Sequence, residues 1–396
     1  MVLRAALVIL ALAVLSPVLY ERAQTLYLFW KNAPERLVPV DNFGSYEIKF
    51  VDRVRSCEDA LVLEPEGVSI LACDPGRERW NTVMGMFLPG PLPSAELYIY
   101  DYKNSEASDE ETLKRLQFVD FDVQDDFHTL GMAYDEETST LFAASHRHDQ
   151  PAIEVFKLDL AAYTARHLGS IQHPLIHGPN SIALINGHEL YVTNNNHFLV
   201  KDNPILNKLE TYLGLPLGTV VHVDFSSFIA DPRGGHPVQA TVAARLAFAN
   251  GIELLNSTTV AVASTSRASV YLYTISPESP AKLAYATQIH VPFLVDNLSV
   301  ASDGRLMMAG HPHMPSLVKF TKSRHVCNGS PEETKPDYCA DPGAPSWAAE
   351  WTEEGGLKNL YVGTEYPSSA TIARDVKRGM GILSGLYAKG IMVWRD

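Results

Sequence analysis

The chain has 396 residues, enough for one large domain or two ordinary ones. With 46% apolar and 20% charged residues its composition is globular, which excludes a disordered or collagen-like chain. Lys and Arg total 32 against 46 Asp and Glu, a net charge of −14 with no basic block, so the cationic face that a nucleic-acid partner requires is missing.

The first element is a targeting segment. Arg4 precedes an apolar run from Ala5 to Leu15, continuing past Ser16-Pro17 to Tyr20, in the order of a secretory n-region and h-region. No small-x-small cleavage site closes it, and the run is short for a spanning helix, which needs about 20 residues. Leu26 to Trp30 adds a second apolar patch. These features predict a signal peptide or signal-anchor over residues 1–35 and a domain over residues 36–396. The product is expected to be secreted, or anchored to a membrane with the domain on the lumenal or extracellular side.

From residue 58 onward one hairpin recurs: a polar or special residue, an apolar strand, a turn, and a second apolar strand ending in small residues. The copies start at Glu58-Asp59, Leu130-Gly131, Asn180-Ser181, Asn250-Gly251, Asp296-Asn297 and Ala370-Thr371. Their turns fall at Glu64–Gly67, Asp135–Ser139, Asn186-Gly187, Asn256-Ser257, Asp303-Gly304 and Lys377–Gly379, several of them strong hairpin signals. Amphipathic helices are nearly absent. The exception is Pro204 to Leu213, with Pro at a helix start and Ile205, Leu206, Leu209, Tyr212 and Leu213 at helical spacing. The expected fold is all-β, a six-bladed β-propeller.

Cys57 and Cys73 have their midpoint in the turn-like Glu64–Gly67, so a hairpin folded there places the two sulfurs opposite each other. Cys327 and Cys339 bracket a polar loop that a second disulfide would close, although four cysteines allow three pairings. Asn256-Ser-Thr and Asn328-Gly-Ser are glycosylation sequons compatible with secretion.

The repeat also locates a candidate site. If the hairpins are equivalent, their first residues gather at one mouth of a central channel, and most of these offer side-chain oxygen. Glu58, Asn180, Asn250, Asp296 and Asn297 form an oxygen-only set, which selects calcium over zinc or copper.

At these residues the sequence resembles the paraoxonase/arylesterase family. Glu58-Asp59, Asn180, Phe248-Ala-Asn-Gly-Ile252 and Leu294-Val-Asp-Asn-Leu-Ser-Val300 match that family's calcium-binding strands in order, and Gly310-His311-Pro312 and Tyr212–Leu215 also fit. The resemblance implies a six-bladed propeller with calcium in its central channel, acting on lactones and aryl esters, with phosphotriesters as a further class. It assigns Glu58, Asn180, Asn250, Asp296 and Asn297 to a catalytic calcium, and Asp59 with the carbonyl of Met132 to a second, structural one. It also implies that the N-terminal segment and the Pro204–Leu213 helix flank the channel mouth and meet a membrane or lipid surface.

Three positions depart from the family pattern. Of its histidine pair only the second has a counterpart, His146, the expected catalytic residue; the first falls on Leu130. His128, two residues upstream, would face the same side of an extended chain. Ser181 stands where an acidic ligand of the structural calcium belongs, and no cysteine near residue 396 bridges the chain ends. His197 and His311 also fall near channel-facing strand ends. Gly-x-Ser-x-Gly is absent, which argues against a nucleophile-elbow esterase. The expected function is calcium-dependent hydrolysis of a lactone or ester, with His146 or a carboxylate of the metal shell activating water. The rival is a non-catalytic, calcium-stabilised propeller that binds a ligand at its mouth.

Overall fold

The computed structural model describes residues 16, 19–104, 107–234, 237–340 and 343–396. The apolar run from Ala5 to Leu15 lies outside them. The described fold is all-β, a β-propeller of curled antiparallel sheets. Each hairpin start read from the sequence falls at the head of an inner strand: β1 (Arg55–Leu63), β2 (Thr129–Asp135), β3 (Pro179–Asn186), β4 (Ala249–Asn256), β5 (Leu294–Val300) and β6 (Ser369–Asp375). Each inner strand opens a four-stranded meander, as when β3 is followed by Glu189–Asn194, Gly218–Asp224 and Gln239–Leu246. The inner strands pack in chain order, and β6 packs back on β1, closing a ring.

These strands form where the pattern requires them. Their Val, Ile, Leu and Ala residues face neighbouring meanders and build the buried clusters between them, such as Ile182, Leu190, Val192 and Val221. The turns sit where Gly supplies the conformation: Gly304, at φ +83°, closes the hairpin of β5. The ring is sealed by strand pairing between the chain ends rather than by a disulfide. Ser45–Lys49 runs antiparallel to Ile391–Arg395, in register Ser45 to Arg395. Both local disulfides are present, Cys57–Cys73 across the β1 hairpin and Cys327–Cys339.

Among the described residues three longer helices decorate the sheets, besides single turns of helix at Asp109–Thr112 and Ser226–Ala230. Residues 19–31 form α1. Pro204–Leu213 forms α2, with Pro at its start and Gly214 in the left-handed conformation at its end. Met314–Cys327 forms α3. Arg22 of α1 donates to the carbonyl of Ser266, Glu21 pairs with Arg267 at 3.3 Å, and Arg267 donates to the carbonyl of Gly214. These contacts set α1 beside α2. Among the described residues no helix is long and apolar enough to cross a membrane. Asn256 is exposed in the turn after β4, whereas the Asn328 amide donates to Glu78 at 2.7 Å, a bond that a sugar on that nitrogen would replace.

Candidate functional site

One backbone irregularity recurs in all six inner strands. Regular pairing with the next strand breaks at Cys57/Asp59, Thr129/Met132, Pro179/Ile182, Ala249/Ile252, Val295/Leu298 and Ser369/Ile372. A bulge leaves residues unpaired and re-aims their side chains. The residues so released are Glu58, Leu130 and Gly131, Asn180 and Ser181, Asn250 and Gly251, Asp296 and Asn297, and Ala370 and Thr371. The ring is tight here: a Cβ on Gly251 would lie 2.7 Å from the Asn297 Cα, and one on Gly131 2.8 Å from the Asn180 carbonyl oxygen. Ser56 and Phe248, each two residues before a released position, take left-handed backbone at φ 54° and 48°, a conformation that costs a non-Gly residue on the order of 1 kcal/mol.

The five oxygen-bearing residues read from the sequence are all buried. Asn250 Nδ2 donates to Asp296 Oδ1 at 2.7 Å and to Thr265 Oγ1 at 2.9 Å. Asn297 Nδ2 donates to Thr371 Oγ1 at 3.0 Å, and Thr371 Oγ1 in turn to the Glu58 carbonyl at 2.8 Å. The bonds of Asn250 and Asn297 use the amide nitrogen and leave the amide oxygen free. The Oδ1 atoms of Asn180, Asn250 and Asn297 are buried without a hydrogen-bond partner. An unmet buried acceptor costs about 1–3 kcal/mol, so three from adjacent strands, alongside two carboxylates, are a donor set for a hard cation. Burial, together with the charges of Asp296, Asp59 and Asp74, pushes the Glu58 carboxyl up to about 8 against the opposing pull of Arg77.

Asp59 is placed differently. Its carboxylate accepts from the amides of Met132 (2.7 Å) and Ala60 (2.9 Å) and from Thr371 Oγ1 (3.1 Å). Burial raises its pKa, opposed by these bonds. Met132 therefore meets Asp59 through its N–H. Ser181 Oγ accepts from the Ile252 amide at 3.4 Å.

Sequence reasoning missed Arg77 and Asp74. Both follow Cys73 in a short 3-10 turn, in which Asp74 accepts from the Gly76 amide. The Asp74 amide donates to the Ser56 carbonyl at 3.0 Å, which seats that turn beside the first bulge, where Arg77 Nη1 lies 2.6 Å from Glu58 Oε2 and Nη2 donates to the Thr129 carbonyl. The available signal was an Asp-Pro-Gly-Arg turn directly after a paired cysteine.

The histidines divide by what their nitrogens touch. His146 is buried; Nε2 donates to the Pro179 carbonyl at 2.6 Å and Nδ1 meets the Thr82 hydroxyl. Burial lowers its pKa to about 4, against the raising effect of the Pro179 bond. Because Pro179 precedes Asn180, His146 holds the bulge that carries a candidate ligand. His311 Nε2 donates to Asp296 Oδ2 at 3.0 Å, and its Nδ1 is buried without a partner. Leu130 turns into the apolar cluster with Phe142 and Ile153. The His197 amide donates to Glu210 of α2 at 2.8 Å.

Beside the oxygen cluster an apolar cavity of about 310 Å³ opens between α1 and α2. It is lined by Leu26, Phe29, Leu213, Phe248, Leu294 and Met314, and reaches Thr265, which touches Asn250.

In comparison with known proteins, this chain is 26% identical to human serum paraoxonase/arylesterase 2 over 188 residues, covering 47% of this chain and 48% of that protein. It thus spans about half the length of that relative. With rat serum paraoxonase/arylesterase 1 it shares 25% identity over 303 residues, 74% of this chain and 77% of that protein. A solved structure provisionally assigned as a gluconolactonase superposes with a TM-score of 0.51 at 12% identity, covering 90% of this chain and 94% of the other, a likeness of fold alone. The arylesterase family model matches residues 88–329, more than half of the chain. That match spans the bulged strands that carry Leu130, Asn180, Asn250, Asp296 and Asn297, and with it the chain belongs to the arylesterase family.

Proposed function

We propose that this protein is a calcium-dependent hydrolase of lactones or aryl esters, built as a six-bladed propeller with the metal in its channel. The observation that carries the reading is the set of three buried, unpartnered amide oxygens beside Glu58 and Asp296 at the bulged heads of adjacent strands. Family membership and the apolar cavity beside that set support it. Glu58, Asn180, Asn250, Asp296 and Asn297 would hold the catalytic calcium. Asp59 and Met132 remain the proposed second site, with Ser181 supplying no charge there.

Calcium in such a site supplies a Lewis-acidic charge toward which a carbonyl or phosphoryl oxygen is polarised. The chain's own residues do the rest. Phe248, Leu294 and Leu213 take up the apolar part of the substrate and exclude water. Asn250 has committed its amide nitrogen to Thr265 and Asp296, so Asn180 is the amide left to contact a developing oxyanion.

Two histidines compete for the proton of the attacking water. His146 is engaged on both nitrogens, which favours a positioning role through Pro179 and Asn180. His311 keeps Nδ1 free while Asp296 fixes its other nitrogen, the arrangement of an oriented general base. The non-catalytic rival shares the same cation site but predicts no turnover.

The exposed apolar residues Leu26, Tyr27 and Trp30 of α1, with Ile205, Leu206 and Leu209 of α2, are proposed to rest on a membrane or lipid surface. Secretion, with glycosylation at the exposed Asn256, belongs to the same reading. The test is a screen of lactones, aryl acetates and phosphotriesters on purified protein with calcium. Turnover of at least one class, lost on chelation, is expected; no turnover of any class with calcium bound would favour the binding-only propeller.

A further inference from the structure

A second group of polar residues, of which His128 is buried while Asp126 and His148 are partly exposed, lies at the same end of the molecule, outside the oxygen cluster. Asp126 and His128 stand two residues apart, with Phe127 between them in the core. The segment 146–148 runs alongside: the His146 amide donates to the His128 carbonyl at 2.9 Å, and the His148 amide donates to both oxygens of Asp126 at 3.0 and 3.2 Å. His148 Nδ1 also contacts Asp126 Oδ1. The ligand-type atoms of Asp126, His128 and His148 all lie within 4.8 Å of one another.

His128 is the informative member. It is 2% exposed, and its Nδ1 faces Asp74 Oδ2 at 3.3 Å. Its Nε2 is buried without a hydrogen bond, 3.8 Å from Asp126 Oδ1. A carboxylate on one ring nitrogen and an unpartnered second nitrogen aimed at a further carboxylate and imidazole is the outer-shell arrangement of metal-bound histidine. An ordinary Asp126–His148 ion pair accounts for those two residues but leaves the buried His128 nitrogen unexplained. Trp80 stacks on the His148 ring at 3.8 Å between centroids and donates to the His146 carbonyl at 2.8 Å, which steadies the outer ligand.

From this geometry we infer a further metal site, Asp126–His128–His148, distinct from the calcium sites and suited to a borderline divalent cation of the zinc type. Two imidazoles and one carboxylate suit zinc, whereas calcium takes oxygen ligands. Ligands about 2.0–2.1 Å from a tetrahedral ion stand roughly 3.3 Å apart. The partly exposed Asp126 and His148 can reach that spacing by side-chain rotation, with His128 fixed by Asp74. Three protein ligands leave a fourth position for water, and the exposure of His148 provides entry.

The test uses untagged full-length protein with calcium held in excess, so that oxygen sites are filled. Zinc is titrated calorimetrically, and cobalt(II) is followed by its visible absorption. One zinc per chain and a tetrahedral cobalt spectrum displaced by zinc are expected. His148→Ala and Asp126→Asn should lower zinc affinity at least tenfold and abolish the spectrum. Asp74→Asn, which changes the partner of the far nitrogen of His128 without removing a ligand, should weaken binding about 10–100-fold. The calcium-dependent rise in melting temperature should be the same in wild type, His148→Ala and Asp126→Asn, so this site and the calcium reading fail separately. Absence of zinc and cobalt binding in the wild type overturns the proposal. So does binding that His148→Ala leaves intact.

Discussion

The oxygen cluster and the histidine side of the same channel mouth use buried polarity in different ways. In the oxygen cluster, Asn250 and Asn297 spend their amide nitrogens on neighbours, and the amide oxygens are left unmet. On the histidine side, His146 is bonded at both nitrogens and Leu130 is absorbed into the apolar core. The bulged backbone is common to both regions. The difference teaches that the bulge only delivers a side chain to the channel, and that its partners then decide between a ligand and a brace. The chemistry should therefore be sensitive to the oxygen cluster and more tolerant of the histidines that stabilise it.

The largest effect is expected from Asp296→Asn, which removes a carboxylate from the cluster and the acceptor that orients His311. Lactone and aryl-ester turnover should fall by about 10³-fold or more, beyond what one electrostatic group usually supplies, and the calcium-dependent gain in melting temperature should shrink. Turnover within tenfold of wild type would break the contrast between the two regions.

His146→Gln is expected to cost less activity, about 10–100-fold, as a residue acting through a ligand does. It carries a sharper signature in stability against pH. His146 has a folded pKa lowered to about 4 from 6.5, so the unfolded chain binds the proton first. Stability from this group is complete above pH 6.5 and is lost as pH falls toward 4, by up to about 3 kcal/mol. Urea melts across that window should show the loss in wild type and a flatter profile in His146→Gln.

Leu130→His restores a histidine to the vacant place of the family's pair. Because Leu130 packs with Phe142 and Ile153, the imidazole would be buried among apolar groups at a cost of about 1–3 kcal/mol. The expected outcome is a lower melting temperature with no gain in turnover; a rise in turnover would show that the histidine side lacks only the first member of its pair. The smallest effect on chemistry is expected from Leu206→Asp with Leu209→Asp. Turnover of water-soluble substrates should hold within about twofold while flotation with liposomes falls.

Much of the strand plan was legible because most copies combine a turn signal with a polar residue shortly before it. Asn250-Gly251 and Asp303-Gly304 mark local geometry, and local geometry is what a sequence carries most directly. The Cys57–Cys73 pairing was legible for the same reason, as a hairpin whose midpoint is its turn. Arg77 and Asp74 were not, because their place over Glu58 depends on the docking of a turn 19 residues away in sequence from Glu58 for Arg77 and 54 from His128 for Asp74. Nor could spacing tell His146 from His311: both end strands beside the channel, and only the tertiary partners, Pro179 and Thr82 against Asp296 alone, separate a braced imidazole from one with a free nitrogen.

The central claim is that the oxygen cluster holds calcium and that hydrolysis depends on it. The most direct measurement is a chelator titration of the purified protein with lactone turnover and melting temperature read on the same samples. Both should fall together and return on adding calcium; a calcium level 100-fold above Kd corresponds to about 2.7 kcal/mol of stabilisation. Turnover that persists undiminished in excess chelator, with no change in melting temperature, would contradict the account.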